Sequence, residues 1–436
     1  MKRRSFITAS AGAAALGAGA GGCAQEKEVA TSAKPTLNLL DPIGDFTVED
    51  IRNQYEHDFF EDYIPFHDKH VVDKKYGCYY SSTNHDGTHE NTNTSSAFMG
   101  RGIWCYSFLY NNLAKEDKYL DIAAQGVKFI MKHQPTGENY WAGSYSREGE
   151  ILNPKGPWHG DCYIAEGLAE YARATGETKY FDIGRETIFK CLKHYDRPDF
   201  DSGMAYKGSR NLWYWMLLMW FGTNALKHGP DSELEDLVNY CMTAIMDHHV
   251  NPKFDLMNNT INHDLTLSDD PRHSELAGCG HATEATWMIM HEAIRRKDKA
   301  LFDRILGMFK RHAIVSKDDV YGGYFNNCKN VDENDWQLNK ISWAQAFILI
   351  NSLYAIEHTG LDWAKDIFSD QNAWAQENLP LKKHGFSLWL EPRDRFVTFT
   401  PKSSRKDNYH HPRHLMLNLA SARRMMDNGC KVSGII

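Results

Sequence analysis

The stretch Gly278-Cys279-Gly280-His281-Ala282-Thr283-Glu284-Ala285-Thr286-Trp287 sets small and apolar residues at spacings of three and four, the period of a helix with one face in a core. A second helical pattern over 300–315 follows after a short gap, so the two read as a hairpin. Hairpins of this kind recur on both sides. Their first helices begin near Ser96, Trp158, Arg210, Gly280, Ile341 and His411, and second helices cover 116–132, 177–194, 232–248, 300–315 and 362–378. Only one helix, ending near Asp427, fits after His411, so a helix over 48–60 is expected to complete the last pair. Twelve helices in six hairpins give an all-α fold, an (α/α)6 barrel.

Segments rich in Gly and aromatics lie between the pairs, as in Tyr140-Trp141-Ala142-Gly143-Ser144-Tyr145, Tyr321-Gly322-Gly323-Tyr324-Phe325 and Gly385-Phe386-Ser387-Leu388-Trp389. Glycine interrupts helices and alternating aromatics pack a β surface, so short β-hairpins are expected at the barrel mouth. An α-solenoid also stacks helix hairpins, but this repeat is longer and less regular than the common helical repeats. Past residue 22, GxGxxG, P-loop and GxSxG motifs are absent.

Of the 436 residues, 42% are hydrophobic and 24% charged, enough for a large globular core. The net charge of −8, with no basic stripe beyond the first residues, speaks against nucleic acid as a partner. Residues 1–22 read as an export signal. Lys2-Arg3-Arg4-Ser5-Phe6-Ile7 resembles a twin-arginine leader, and the Ala/Gly-rich run ends at Gly21-Gly22-Cys23 as a lipoprotein signal does. Lipidation at Cys23, a tether over 23–40, periplasmic location and one catalytic barrel over 41–436 are expected, the membrane being met only through that lipid. The other cysteines, Cys78, Cys105, Cys162, Cys191, Cys241, Cys279, Cys328 and Cys430, are scattered without a CxxC pair, which argues against zinc and against a disulfide framework.

Chemistry is sought at helix starts, since these face the mouth. His281 begins one inner helix and His410, in Asn408-Tyr409-His410-His411-Pro412-Arg413, begins another. A spacing of three sets Glu284 on the face of His281, where a carboxylate orients an imidazole or binds a hydroxyl. HExxH is absent, and no metal or other cofactor is expected.

These motifs resemble a known family. Asp86-Gly87 followed by Met99-Gly100-Arg101-Gly102-Ile103-Trp104 is similar to the DG…QGRxxW segment of the N-acylglucosamine 2-epimerase group, which includes cellobiose 2-epimerases and mannose isomerases. Asp161-Cys162-Tyr163 resembles its DCF segment, Gly280-His281-Ala282-Thr283-Glu284-Ala285 its GHxxEA, and Tyr409-His410-His411-Pro412-Arg413 its FHxPR. The resemblance implies an (α/α)6 barrel and proton transfer at C2 of a reducing-end mono- or oligosaccharide. His281 and His410 would be the two catalytic bases, and Arg101, Glu284, Asp161, Tyr163, Trp343 and Arg413 the substrate contacts. The chain departs from KxWWxxxE at Ser342 and Phe347, and has Phe386-Ser387 where Glu-Trp is usual. In Trp213-Tyr214-Trp215-Met216-Leu217-Leu218-Met219-Trp220 apolar residues surround the helix, so these tryptophans read as core and Trp343 as the stacking ring.

Two rival readings keep the barrel. A glycoside hydrolase would need facing carboxylates, with Asp161 and Glu284 as the pair and Asp86 as a third, while a uronate lyase would recruit His281, His410, Tyr409 and Arg101. A non-catalytic sugar-binding lipoprotein would need neither histidine.

Overall fold

The computed structural model describes residues 40–156, 158–381, 389–399 and 408–436. The export signal, Cys23 and the segment His384-Gly385-Phe386-Ser387 lie outside the described residues. The helices in chain order are α1 (Val48–Glu56), α2 (Ile64–His70), α3 (Ser96–Asn112), α4 (Asp117–Met131), α5 (His159–Thr175), α6 (Thr178–Tyr195) and α7 (Leu212–Leu226). They continue with α8 (Ser232–Thr243), α9 (Pro271–Ser274), α10 (Cys279–Arg296), α11 (Lys299–Ser316), α12 (Ser342–Thr359), α13 (Asp362–Asn378) and α14 (His410–Asp427).

Helices α3, α5, α7, α10, α12 and α14 pack each on the next, and α14 returns to α3, so the inner ring closes. Helices α4, α6, α8, α11 and α13 back the first five, and α1 backs α14. The N-terminal helix thus completes the sixth pair, and the all-α (α/α)6 barrel is the fold observed. Inner helices are buried all round: in α12, residues 344–358 are all buried, whereas α13 buries only a stripe that includes Ala364, Phe368 and Ala375. Polar groups inside the ring tie neighbouring helices, as where Asn351 accepts from Thr286 Oγ1 at 2.8 Å and donates to the carbonyl of Thr283 at 2.7 Å, joining α12 to α10.

Close backbone approach fixes the α3–α5 contact. A Cβ on Gly100 would lie 2.3 Å from the carbonyl carbon of Tyr163, and one on Gly167 would lie 2.5 Å from the Gly100 oxygen. Only glycine at these positions lets the two helices meet main chain to main chain, which brings Arg101 beside Tyr163.

Strands β1 (Thr94–Ser95), β2 (Ser144–Tyr145) and β3 (Ile151–Asn153) form an antiparallel sheet. The other pairs are β4 (Arg210–Asn211) with β7 (Thr260–Ile261), β5 (Val250–Asn251) with β6 (Leu256–Met257), and β8 (Asn327–Asn330) with β9 (Asp335–Gln337). Short β-hairpins therefore connect the barrel, but not all where the aromatic segments indicate. Tyr321 to Phe325 is a turn: Gly322 and Gly323 have φ of 68° and 70° against the Trp374 ring, and the ladder begins two residues later. Buried Gln345 holds this turn, accepting from Tyr324 N–H at 2.9 Å and donating to its carbonyl at 2.7 Å.

The first helix also runs past its expected end at residue 60. A π-helical segment, His57–Tyr63, joins α1 to α2. Pro65 has no N–H and its ring crowds the carbonyl one turn back, so the wider turn before it carries the helix through. A second π turn, Ala244–His248, similarly ends the pattern that begins at Ser232. The eight cysteines among the described residues are free thiols, and all but Cys430 are buried.

Candidate active site

The mouth of the ring opens on a cavity of about 680 Å³, within the size range of small-molecule sites, about 300–1,000 Å³. His281, in the first turn of α10, and His410, the first residue of α14, both line it. Trp343, in the first turn of α12, lies against each. Its ring stacks on His281 with centroids 5.2 Å apart and sits 6.1 Å from His410. The Trp213 ring also lies nearly parallel to that of His281, with centroids 6.5 Å apart.

His281 Nδ1 is 2.9 Å from Asn259 Oδ1. An amide oxygen only accepts, so this contact is a hydrogen bond when the imidazole carries its proton on Nδ1, the tautomer that leaves the Nε2 lone pair for substrate. Burial holds His281 below the usual imidazole range; Glu284 opposes that shift and His410 adds to it.

Arg101 and Tyr163 form one wall. Arg101 Nη2 donates to Tyr163 Oη at 2.7 Å, and the guanidinium lies 4.0 Å over the Tyr163 ring and 5.2 Å from that of Tyr409. Glu284 lines the cavity, yet its partner is not His281. Arg413 Nη2 donates to Glu284 Oε1 at 2.6 Å from a position with no solvent exposure, 4.3 Å over the Tyr409 ring.

Two expected substrate contacts are corrected. Asp161 is 1% exposed and stands behind the wall, where it accepts from Trp141 N–H at 3.1 Å and burial pushes its carboxyl up to about 7. Arg413 likewise does not border the cavity; it is the buried counter-ion that holds Glu284. Asp86 is on an exposed turn bonded to Thr88, away from the cavity lining. Arg101, Tyr163, Glu284 and Trp343 do line it, with both histidines.

Four residues escaped the sequence reading. Trp213 faces the cavity, while Trp215 and Trp220 are core as expected. His159 opens α5 and lines the cavity; the helix-start criterion that selects His281 and His410 also selects it. Asn259 carries no sequence signal, since its role depends on a fold contact. Glu166 is buried below the site, where it accepts from Tyr409 Oη at 2.7 Å and Trp220 Nε1 at 2.8 Å; burial pushes it up to about 7.

Such a cavity offers four imidazoles, of His159, His273, His281 and His410, with the guanidinium groups of Arg101 and Arg272 and a carboxylate between aromatic faces, and Glu284 is the only acid lining it among the described residues. That set suits moving a proton on a polyhydroxy compound whose developing negative charge lies near Arg101.

Comparison with known proteins agrees. The chain is 25% identical over 285 residues to cellobiose 2-epimerase of Dictyoglomus turgidum, covering 60% of this chain and 70% of that protein. The cellobiose 2-epimerase of Spirochaeta thermophila superposes with a TM-score of 0.74 at 14% identity, over 87% of this chain and 98% of the other. A D-mannose isomerase gives a TM-score of 0.72 at 13% identity, over 88% and 99%, so both structures share the barrel. The sequence profile of N-acylglucosamine 2-epimerase matches residues 77–412, which span the ring from before α3 to the first turn of α14 and include both histidines. On that match and this geometry, the chain belongs to the N-acylglucosamine 2-epimerase family.

Proposed function

We propose that this chain is a carbohydrate epimerase or aldose–ketose isomerase acting at C2 of a reducing-end sugar. The observation that carries the reading is the placement of His281 and His410 at two inner-helix starts, on one cavity and against one indole. With the sugar in its open form, one neutral imidazole takes the C2 proton at its nitrogen lone pair. The C2–H electron pair then moves into the C1–C2 bond, giving an enediolate. Protonation of C2 on the opposite face by the other histidine, present as imidazolium, restores the C1 carbonyl and yields the epimer, whereas transfer of the O2 proton to O1 with protonation at C1 yields the ketose. Arg101, Trp213 and Trp343 line the same cavity, which supports a role for the Arg101 charge in stabilising the enediolate oxygen and for the two indoles as flat apolar faces for a sugar ring. The names of the relatives, cellobiose 2-epimerase and D-mannose isomerase, support this class of substrate.

Hydrolysis is the weaker reading. It needs two carboxylates across the scissile bond, and of Asp161, Glu284 and Asp86 only Glu284 reaches the cavity. Incubation of the purified protein with D-mannose, D-glucose, cellobiose and uronate oligosaccharides separates the classes by product analysis. Interconversion of epimers or of aldose and ketose without chain cleavage is expected. Cleaved or newly unsaturated products, with no interconversion, would overturn the assignment.

We also propose export and lipidation at Cys23, resting on Arg3-Arg4 and on Gly21-Gly22-Cys23. No helix among the described residues is long and apolar enough to cross a membrane. Mass spectrometry of the mature protein is expected to find an acylated Cys23 as the first residue; an unmodified N-terminus elsewhere would contradict it.

A further inference from the structure

We infer that Asn259 is a positioning residue for the reaction: its amide oxygen holds the His281 Nδ1 proton in both charge states of the ring, so that Nε2 alone exchanges a proton with the sugar. The inference rests on the epimerase reading for its chemistry and on the 2.9 Å Asn259–His281 hydrogen bond for its geometry.

Asn259 is placed with unusual firmness for a loop residue. Its own carbonyl accepts from Leu212 N–H at 2.9 Å, which joins it to the start of α7. The preceding Asn258 donates from one Nδ2 to the carbonyls of His273, Ser274 and Leu276, and its N–H donates to the His249 carbonyl at 2.7 Å. The following Thr260 pairs with Asn211 in the β4–β7 ladder and donates its hydroxyl to Asn211 Oδ1 at 2.9 Å. Room for the amide comes from Gly278, where a Cβ would lie 2.9 Å from Asn259 Oδ1. Three separate elements therefore aim one amide oxygen at the ring, and the ring itself lies nearly parallel to two indoles, Trp343 and Trp213.

The choice of an amide has a chemical consequence. Oδ1 accepts the Nδ1–H of neutral imidazole and of imidazolium alike, so the tautomer is preserved through a cycle in which His281 first gains and then loses a proton. A carboxylate in its place would stabilise the imidazolium. A neutral partner leaves the ring easy to deprotonate, as burial already makes it. The other charged and titratable groups around His281 are Glu284 on its own helix, His410 and Arg413 on α14, Arg101, His159 and Tyr163 on α3 and α5, and Arg272 and His273 at the rim. None is hydrogen-bonded to Nδ1, so Asn259 is the group that sets the tautomer.

The test is nitrogen NMR of protein labelled with [15N]histidine, the His281 signals being assigned by their loss in His281→Gln. The parent is expected to show a neutral His281 protonated at Nδ1. Asn259→Asp, nearly isosteric, is expected to raise the midpoint of that titration by about one pH unit or more. Asn259→Leu and Gly278→Ala are expected to mix the tautomers. They are also expected to lower C2 deuterium exchange on cellobiose or D-mannose on the order of 10- to 100-fold, with KM changed less than about twofold. A parent ring protonated at Nε2, or an unmoved midpoint in Asn259→Asp, overturns the inference. If the tautomer is as stated but the parent exchanges no C2 proton on either sugar, the epimerase reading falls and the role of Asn259 in catalysis falls with it. Full exchange in an Asn259→Leu protein with mixed tautomers rejects the positioning role alone.

Discussion

Replacing either His281 or His410 with glutamine is expected to lower sugar turnover by on the order of 10²- to 10⁴-fold, the usual worth of a positioned acid–base group. Each imidazole has a separate task, removal of the C2 proton on one face and return of a proton on the other, so neither substitutes for its partner. The two losses are therefore not additive. His281→Gln/His410→Gln is expected to be no slower than the worse single variant by more than a few-fold, because a cycle missing one step gains nothing from the other. Both rings are half-buried at the cavity rather than in the core, so each single variant is expected to stay within about 1 kcal/mol of the parent in denaturant unfolding. Initial-rate kinetics on the accepted sugar, with unfolding measured alongside, checks both statements. A single variant retaining more than about a tenth of parent turnover would remove that histidine from the mechanism.

The second large effect concerns the ion pair beneath the cavity. Arg413 has no solvent exposure and Glu284 is its carboxylate partner at 2.6 Å. Glu284→Leu leaves a buried guanidinium without that partner and is expected to cost about 3–5 kcal/mol of stability. Pairing it with Arg413→Met removes the stranded charge, so the double variant is expected to regain most of that stability while remaining inactive, since the carboxylate facing the sugar is still missing. Urea unfolding of the two single variants and the double variant measures the coupling. A Glu284→Leu protein as stable as the parent would show that the pair does not anchor α10 to α14.

Much of this architecture is legible in the chain because side-chain period reports burial directly. Helix α3 begins at Ser96 and α13 spans Asp362–Asn378, as the pattern indicates, and both catalytic candidates stand at helix starts. Period fails where burial is uniform. Helix α7 is apolar all round, so nothing in its sequence marks Trp213 as facing a cavity and Trp215 as facing the core. It fails again at single-residue resolution within motifs. His159 and Tyr163, four apart, share the cavity face of α5, whereas Asp161 between them is turned by about 200° from each and points to the Trp141 main chain. Arg413 lies nearly one turn beyond His410 on α14, deep enough to sit under the floor instead of on it. The Asn259–His281 contact joins a loop to a helix 22 residues away, next to the β4–β7 ladder. The π turns belong to the same class, since their cause is local but their outcome depends on the ring that the helix must follow.

The central claim, proton transfer at C2 by two imidazoles, is tested most directly by incubating the protein with its accepted sugar in deuterated water and following the C2 position by proton NMR. The account predicts loss of the C2 proton signal at the rate at which the epimer or ketose appears, deuterium in the product, no product with His281→Gln or His410→Gln, and no C2 exchange in whichever of the two lacks the base for that sugar. Product formed with its C2 hydrogen fully retained would contradict it, because no proton would then have passed through either histidine.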